Sequence, residues 1–274
     1  MAIKMRDKFN LALVMLTLAL ASHYCRAADV TVDIHKDDCV LGSLLSKSDL
    51  IIVGTVLKNR RAAGNQPFVL PDGDRVNNVG DIRIDRVLAS GWNPREVGSH
   101  IEKQADSEWH LIVCQLPPVD AYGGAVLNDP SLLEGGRYLL WLKQYPLREQ
   151  DAAIMDVPEG TAYRVTNGHL GAILLSDPKT LPGHAIRQKL GYDPLKRQNE
   201  TLEKHFCNAD AQTILKATEE FVTVLAETKA TADAKLKQLS SRSEKLYAVT
   251  ADSLAKAHAR KPLYRVELAS IPPE

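Results

Sequence analysis

An excess of charge of either sign is missing from this sequence: 34 lysines and arginines are matched by 34 aspartates and glutamates over 274 residues. That balance gives no electrostatic footprint for nucleic acid. Long apolar runs are scarce too. The greasiest stretch, Leu11–Ala21, is 11 residues long, against the roughly 20 that cross a bilayer, so no stable membrane span is expected. Signatures of chemistry are also lacking. There is no phosphate-cradling Gly-Lys-Ser/Thr loop, no dinucleotide fingerprint and no Gly-x-Ser-x-Gly elbow. Asp72-Gly73-Asp74 lacks the later acidic ligands of a calcium loop and is read as a turn. His35, His100, His110, His169, His184, His205 and His258 are scattered, with no His-x-x-x-His or Cys/His spacing to hold a metal. Glu102, Asp106 and Glu108 would pair as acid and base only through a fold the sequence does not reveal. No catalytic residue, metal ligand or cofactor is therefore assigned.

What is present begins with an address. Lys4, Arg6 and Lys8 precede the apolar run, and Cys25-Arg26-Ala27 offers small residues before a cleavage point at Ala28, so residues 1–27 read as a signal peptide. The expected location is secreted or periplasmic. Its removal leaves 30 basic against 33 acidic residues, a mildly acidic mature chain. Cys39, Cys114 and Cys207 survive cleavage, enough for a single bridge. Cys39 with Cys114 is the preferred disulfide, because both flank presumed strands of one domain while Cys207 opens the helical tail. Such a loop would stabilise by roughly 4 kcal/mol. Pairing of Cys39 with Cys207, or three separate thiols, are the alternatives.

The run Ser48–Lys58 is the shortest, most β-branched apolar stretch of the mature chain. Leu50, Ile51, Ile52 and Val53 are too continuous for a strand with one wet face, so this strand is expected to be covered on both sides or curled into a small barrel, with Gly54 at a bend. An arm strand over Asp29–Lys36 and a helical turn carrying Cys39, Val40, Leu44 and Leu45 come before it. Further strands are expected at Gly80–Ser90, Ser99–Gln104, Glu108–Leu116 and Gly136–Gln144. Ala162–Thr166, the turn Asn167-Gly168 and Leu170–Leu175 read as a closing hairpin. Residues 28–180 thus form an antiparallel barrel or sandwich, and 181–206 a linker holding a helical turn or two. Glycine and proline are absent from 208–261, so 207–274 reads as helical with a short tail. A helical pair broken near Thr228–Asp233 is favoured over one rod, which would leave its apolar stripe wet unless it dimerised. Leu263–Leu268 is read as a further edge strand.

These residues carry a resemblance. A cysteine before a short helix (Cys39, Leu41–Leu45), Ser48-Asp49-Leu50-Ile51-Ile52-Val53-Gly54-Thr55-Val56, Asp85-Arg86-Val87-Leu88, and Leu133-Glu134-Gly135-Gly136-Arg137-Tyr138-Leu139-Leu140-Trp141-Leu142 together resemble the secreted OB-type barrels related to netrin-like modules and tissue inhibitors of metalloproteinases. The likeness covers roughly residues 39–175 and is nearer to bacterial relatives of unknown role than to the animal inhibitors. It implies an OB-like antiparallel β-barrel over that region, and the helical composition after Asp210 adds a C-terminal helical hairpin. The animal inhibitors grip zinc with an N-terminal cysteine; the expected mature start here is Ala28-Asp29-Val30, so that mechanism does not carry over.

Fold alone does not set activity. The reading is a non-enzymatic binding module for a protein or glycan partner outside the cytoplasm. Ligands would be held by the long connections 60–78 and 117–135, with Phe68, Trp92 and Tyr122 as aromatic anchors or as caps of the barrel ends. An inhibitor of an extracytoplasmic peptidase, a hydrolase with dispersed catalytic residues, and a coiled-coil homo-oligomer through the helices are the rivals. Expression in an exporting host is expected to yield a chain starting at Ala28; an intact mass retaining residues 1–27 would refute the signal reading.

Overall fold

The computed structural model describes residues 39–61, 68–69, 75–76, 78–104, 108–115, 132–146, 152, 161–189, 191, 193–257 and 262–271. The signal segment, the Asp29–Lys36 arm and Tyr122 lie outside the described residues. Asp37–Glu274 gathers into one compact unit. Its strands are β1 (Leu50–Arg61), β2 (Phe68–Val69), β3 (Arg75–Val76), β4 (Asn78–Ser90), β5 (Glu102–Lys103), β6 (Trp109–Gln115), β7 (Arg137–Pro146), β8 (Thr161–Val165) and β9 (Ala172–Leu174). Its helices are α1 (Leu41–Lys47), α2 (His184–Lys189), α3 (Pro194–His205), α4 (Ala211–Leu225), α5 (Lys229–Ser240) and α6 (Lys245–Lys256).

β1 is hydrogen-bonded along both edges, with Ile52 opposite Val87 of β4 and Leu140 of β7. The ring runs β1, β4, β6, β8, β7 and back to β1, a closed five-stranded barrel. The expectation of an all-antiparallel cylinder is corrected at one seam: β6 and β8 are parallel, with Val113 opposite Tyr163. The reason is counting. Directions that alternate at every step cannot close a ring with an odd number of staves, so one pair must run together.

The continuous apolar run of β1 is explained by cover on two sides. Leu50, Ile52 and Val56 point into the barrel core with Ile82, Ile84, Leu111, Val113, Leu140, Leu142 and Tyr163. Ile51 and Val53 alternate with them and face out, yet they are as fully buried as the inner set. The outer layer is α1 and the helices after β9. Trp141 of β7 lies fully buried with its ring 6.3 Å from that of Phe206. Ser48 and Asp49, polar yet buried, tie strand and helix. Ser48 Oγ donates to the Leu44 carbonyl at 2.7 Å, and Asp49 Oδ2 accepts the Gln144 N–H at 2.7 Å. Gly54 sits at a register shift, where an added Cβ would come 2.8 Å from Ile82 Cγ2 and 2.9 Å from the Arg83 carbonyl. Bare backbone there lets β4 close in as β1 bends.

Asn167 and Gly168 both take positive φ, 55° and 58°, as the Asn-Gly pair predicts, but the turn joins no hairpin. β8 and β9 lie end to end along the same edge of β7, at Leu142–Pro146 and Tyr138–Leu140. Tertiary pairing with β7 overrides the local turn signal. The Leu263–Leu268 edge strand shrinks to one bridge, Ser90 with Tyr264.

The helical region also differs from a hairpin. Residues 209–257 form three helices, broken at Ala226–Thr228 and again at Ser241–Glu244. The second break falls where Ser240 and Ser241 turn their hydroxyls back onto the Lys237 and Gln238 carbonyls, competing with the helical ladder. Two further helices, α2 and α3, occupy much of the stretch read as a linker. Asp193 caps α3 and Asp210 caps α4 through their side chains. The apolar stripes of α4–α6 are spent within the chain: Ile214, Phe221, Leu236, Leu246 and Leu254 are buried, and none of the large exposed hydrophobic residues lies on these helices.

α6 crosses α1 closely at Gly42, where a Cβ would stand 2.8 Å from Ser253 Oγ and 2.9 Å from its Cβ. Gly42→Val should therefore cost roughly 1–3 kcal/mol through overpacking, read as a lowered midpoint in urea unfolding, and Ser253→Gly should restore part of it. An unchanged midpoint would show that the crossing has slack.

Candidate functional site

Past Arg83, β4 loses its partner on one side. The β4–β6 ladder ends at the Arg83–His110 pair, and the next pairing on that edge is the Ser90–Tyr264 bridge. Among the described residues no strand pairs with that edge over Ile84–Ala89. The edge opens on a cleft of about 1020 Å³ walled by β4, α4 and the segment Arg265–Ala269.

The chain builds this cleft from three distant pieces. Outward-pointing residues of β4 supply Asp85 and Arg86; α4 supplies Lys216, Glu219 and Glu220; the C-terminal segment supplies Arg265 and Glu267. Arg86 is ion-paired with Glu219, joining barrel wall to helix. Asp85 is held from the other side, accepting from Arg137 Nε at 2.9 Å and from Thr55 Oγ1 at 3.1 Å. Val266 and Ile271 are buried in the barrel core, so the segment between them is anchored at both ends. The cleft thus offers both signs of charge at the rim, apolar Val87, Leu88 and Val222 beneath, and an open sheet edge. Such a surface suits a polypeptide more than a small uncharged ligand.

Of the aromatic residues expected to hold ligand, Trp92 lies away from this cleft. Trp92 stacks on His100 with centroids 4.0 Å apart and meets Tyr163 edge-on at 6.4 Å, against the barrel core. Tyr163 donates to the His100 carbonyl at 2.7 Å, and Gln144 Nε2 lies 3.1 Å from His100 Nδ1. Burial lowers the His100 pKa, and it raises that of Tyr163, with the Asp49 charge adding to the rise. Phe68 belongs to the two-residue strand β2, opposite Val76 of β3. His110, read as a polar neighbour of Trp109, has Nδ1 3.3 Å from Asp81 and Nε2 3.7 Å from Glu108. Among the described residues no group of three or more His, Cys, Asp or Glu is placed to hold a metal ion.

The cysteines are rearranged relative to expectation. None of the three is in a disulfide. Cys114 lies on β6 opposite Val79, whereas Cys39, at the entry to α1, is a neighbour of Cys207 in the turn between α3 and α4 and has its Sγ 3.6 Å from Thr250 Oγ1. Cys207 does not begin a separate tail: the Val40 N–H donates to the His205 carbonyl at 2.9 Å, bringing the two segments together. The neighbouring Cys207 and burial push the Cys39 thiol up. The neighbouring Cys39, against a partial burial cost and with help from Lys245, brings Cys207 down to about 7.

The cleft was not legible in the sequence because its walls come from three separate stretches of the chain, near residues 85–88, 216–223 and 265–269. Compared with known proteins, the chain matches no family model, no curated protein and no solved structure.

Alkylation of Cys207 by iodoacetamide should follow a midpoint near pH 7, and Cys39→Ala or Lys245→Met should move it upward. A midpoint at the ordinary thiol value would refute the contact. Because the folded Cys207 pKa lies below its unfolded value, this thiol adds stability as pH rises from about 7 to 9.

Proposed function

We propose that this chain is an exported, non-enzymatic binding protein that takes an extended segment of a protein partner into the cleft between β4, α4 and the C-terminal segment. The observation that carries the reading is the β4 edge over Asp85–Leu88, which lines that cleft and pairs with no strand among the described residues. An added strand would satisfy the backbone groups of that edge, while the flanking charges of both signs select its side chains. The protein partner is preferred to a glycan because the cleft offers a row of backbone groups, and Trp92, one of the aromatic residues expected to hold ligand, is packed against the core instead.

The barrel is read as OB-type. Supporting this are its five main staves in ring order first, second, third, fifth, fourth, with the third and fifth (β6 and β8) parallel, together with the sequence likeness to netrin-like modules. Export rests on the charged and apolar pattern of residues 1–27. The coiled-coil rival gains nothing from helices whose apolar stripes already face their own chain.

The test is selection of short random peptides against the immobilised chain, followed by hydrogen exchange. Bound peptides should protect Ile84–Ala89 and α4, and the exposed pair Lys216→Glu with Arg265→Glu should weaken acidic binders by roughly 10-fold. Protection confined to other strands, or tight binding to a glycan array in place of peptides, would overturn the reading.

A further inference from the structure

The barrel and the helical region meet at a pair of thiols that the cleft does not use. Cys39 is buried at the start of α1, its Sγ 3.6 Å from Thr250 Oγ1 of α6. Cys207 is part-exposed in the α3–α4 turn, and the two thiols are close enough to influence each other's protonation. The backbone holds them there. Beside the Val40–His205 bond, the Phe206 and Asn208 N–H groups both donate to the Leu202 carbonyl, closing the end of α3. That closure puts Cys207 and Asn208 at φ of 56° and 59°, a left-handed conformation that side-chain-bearing residues adopt at a cost and that glycine would take freely. A strained cysteine at a turn that glycine fits better, presented against a second cysteine 168 positions earlier, is a built arrangement.

We propose that Cys39 and Cys207 are a reversible thiol–disulfide pair, in which the accessible Cys207 is the attacking sulfur, the buried Cys39 the resolving one, and the bridge clamps the helical region to the entry of the barrel. The oxidant is a disulfide of small-molecule or protein-dithiol type. Cys207 thiolate attacks one sulfur of that disulfide, forming a mixed disulfide and releasing the first thiol, which takes the proton Cys207 lost. Cys39 then loses its proton and attacks the Cys207 sulfur, displacing the second thiol, which takes that proton. Two thiols of the protein are oxidised to one disulfide as one disulfide of the donor is reduced to two thiols. The lowered pKa of Cys207 suits the first step near neutral pH, where a thiolate is both populated and nucleophilic. Cys39, buried and held protonated, is shielded from competing reagents until the mixed disulfide delivers an electrophilic sulfur beside it.

The experiment equilibrates the chain recovered from an exporting host in reduced and oxidised glutathione buffers, quenches with N-ethylmaleimide and maps peptides without reduction. The expected result is a Cys39–Cys207 cross-linked peptide in the oxidised buffers, with Cys114 alkylated only after unfolding. A Tm raised on the order of 10 °C by the bridge should accompany it. Cys207→Ser should abolish the cross-link and the Tm shift; Cys114→Ser should keep both. A glutathione adduct stopped at Cys207, a cross-link through Cys114, or unmodified thiols in the most oxidising buffer would overturn the proposal. Mapping on the unsubstituted chain decides the matter if a variant fails to fold.

Discussion

The fold depends on one strand being bonded along both of its edges. β1 carries the ladder to β4 on one side and to β7 on the other, so it closes the sheet on itself and leaves no free edge where the ring begins. From this closure the rest follows. An odd ring forces the parallel β6–β8 seam. A small barrel must bend its staves, which places Gly54 at a register shift where β4 presses in. A strand whose two faces are both covered must be apolar at consecutive positions, and the Leu50–Val53 run is that requirement written in residues.

The second constraint is the outer layer. A barrel this small cannot bury Ile51, Val53, Leu139 and Trp141 on its own outside, so α1 and the helices after β9 are packed over them. The helices are thereby integral to the hydrophobic core. Gly42 permits the tight α1–α6 crossing, and the Val40–His205 bond fixes the end of α3 beside the start of α1. Asp37–Glu274 accordingly gathers into one compact unit.

How much of this could be read in advance followed physical range. Local signals held: the double-covered β1, the positive φ at Asn167-Gly168, and the helical composition after Asp210. Signals that depend on partners did not. Asn167-Gly168 marks a turn, but only β7 determines that β8 and β9 line up along one edge. The Ser240–Ser243 cluster sits among good helix formers, yet hydroxyls competing for backbone carbonyls end α5 there. Cys207 was assigned to a tail by its composition and found beside Cys39 by tertiary packing. The cleft was the least legible feature, since Arg86, Glu219 and Arg265 meet only after three distant segments have packed.

Val266 and Ile271 sit in the same apolar interior as Leu50 and Ile52, the first stave of the barrel. The order in which the chain emerges therefore matters: a ribosome still holding residue 271 holds back part of the central core. The cylinder cannot be sealed stave by stave as it appears, and a partly delivered chain would keep its interior exposed to chaperones until residues 266–271 have arrived.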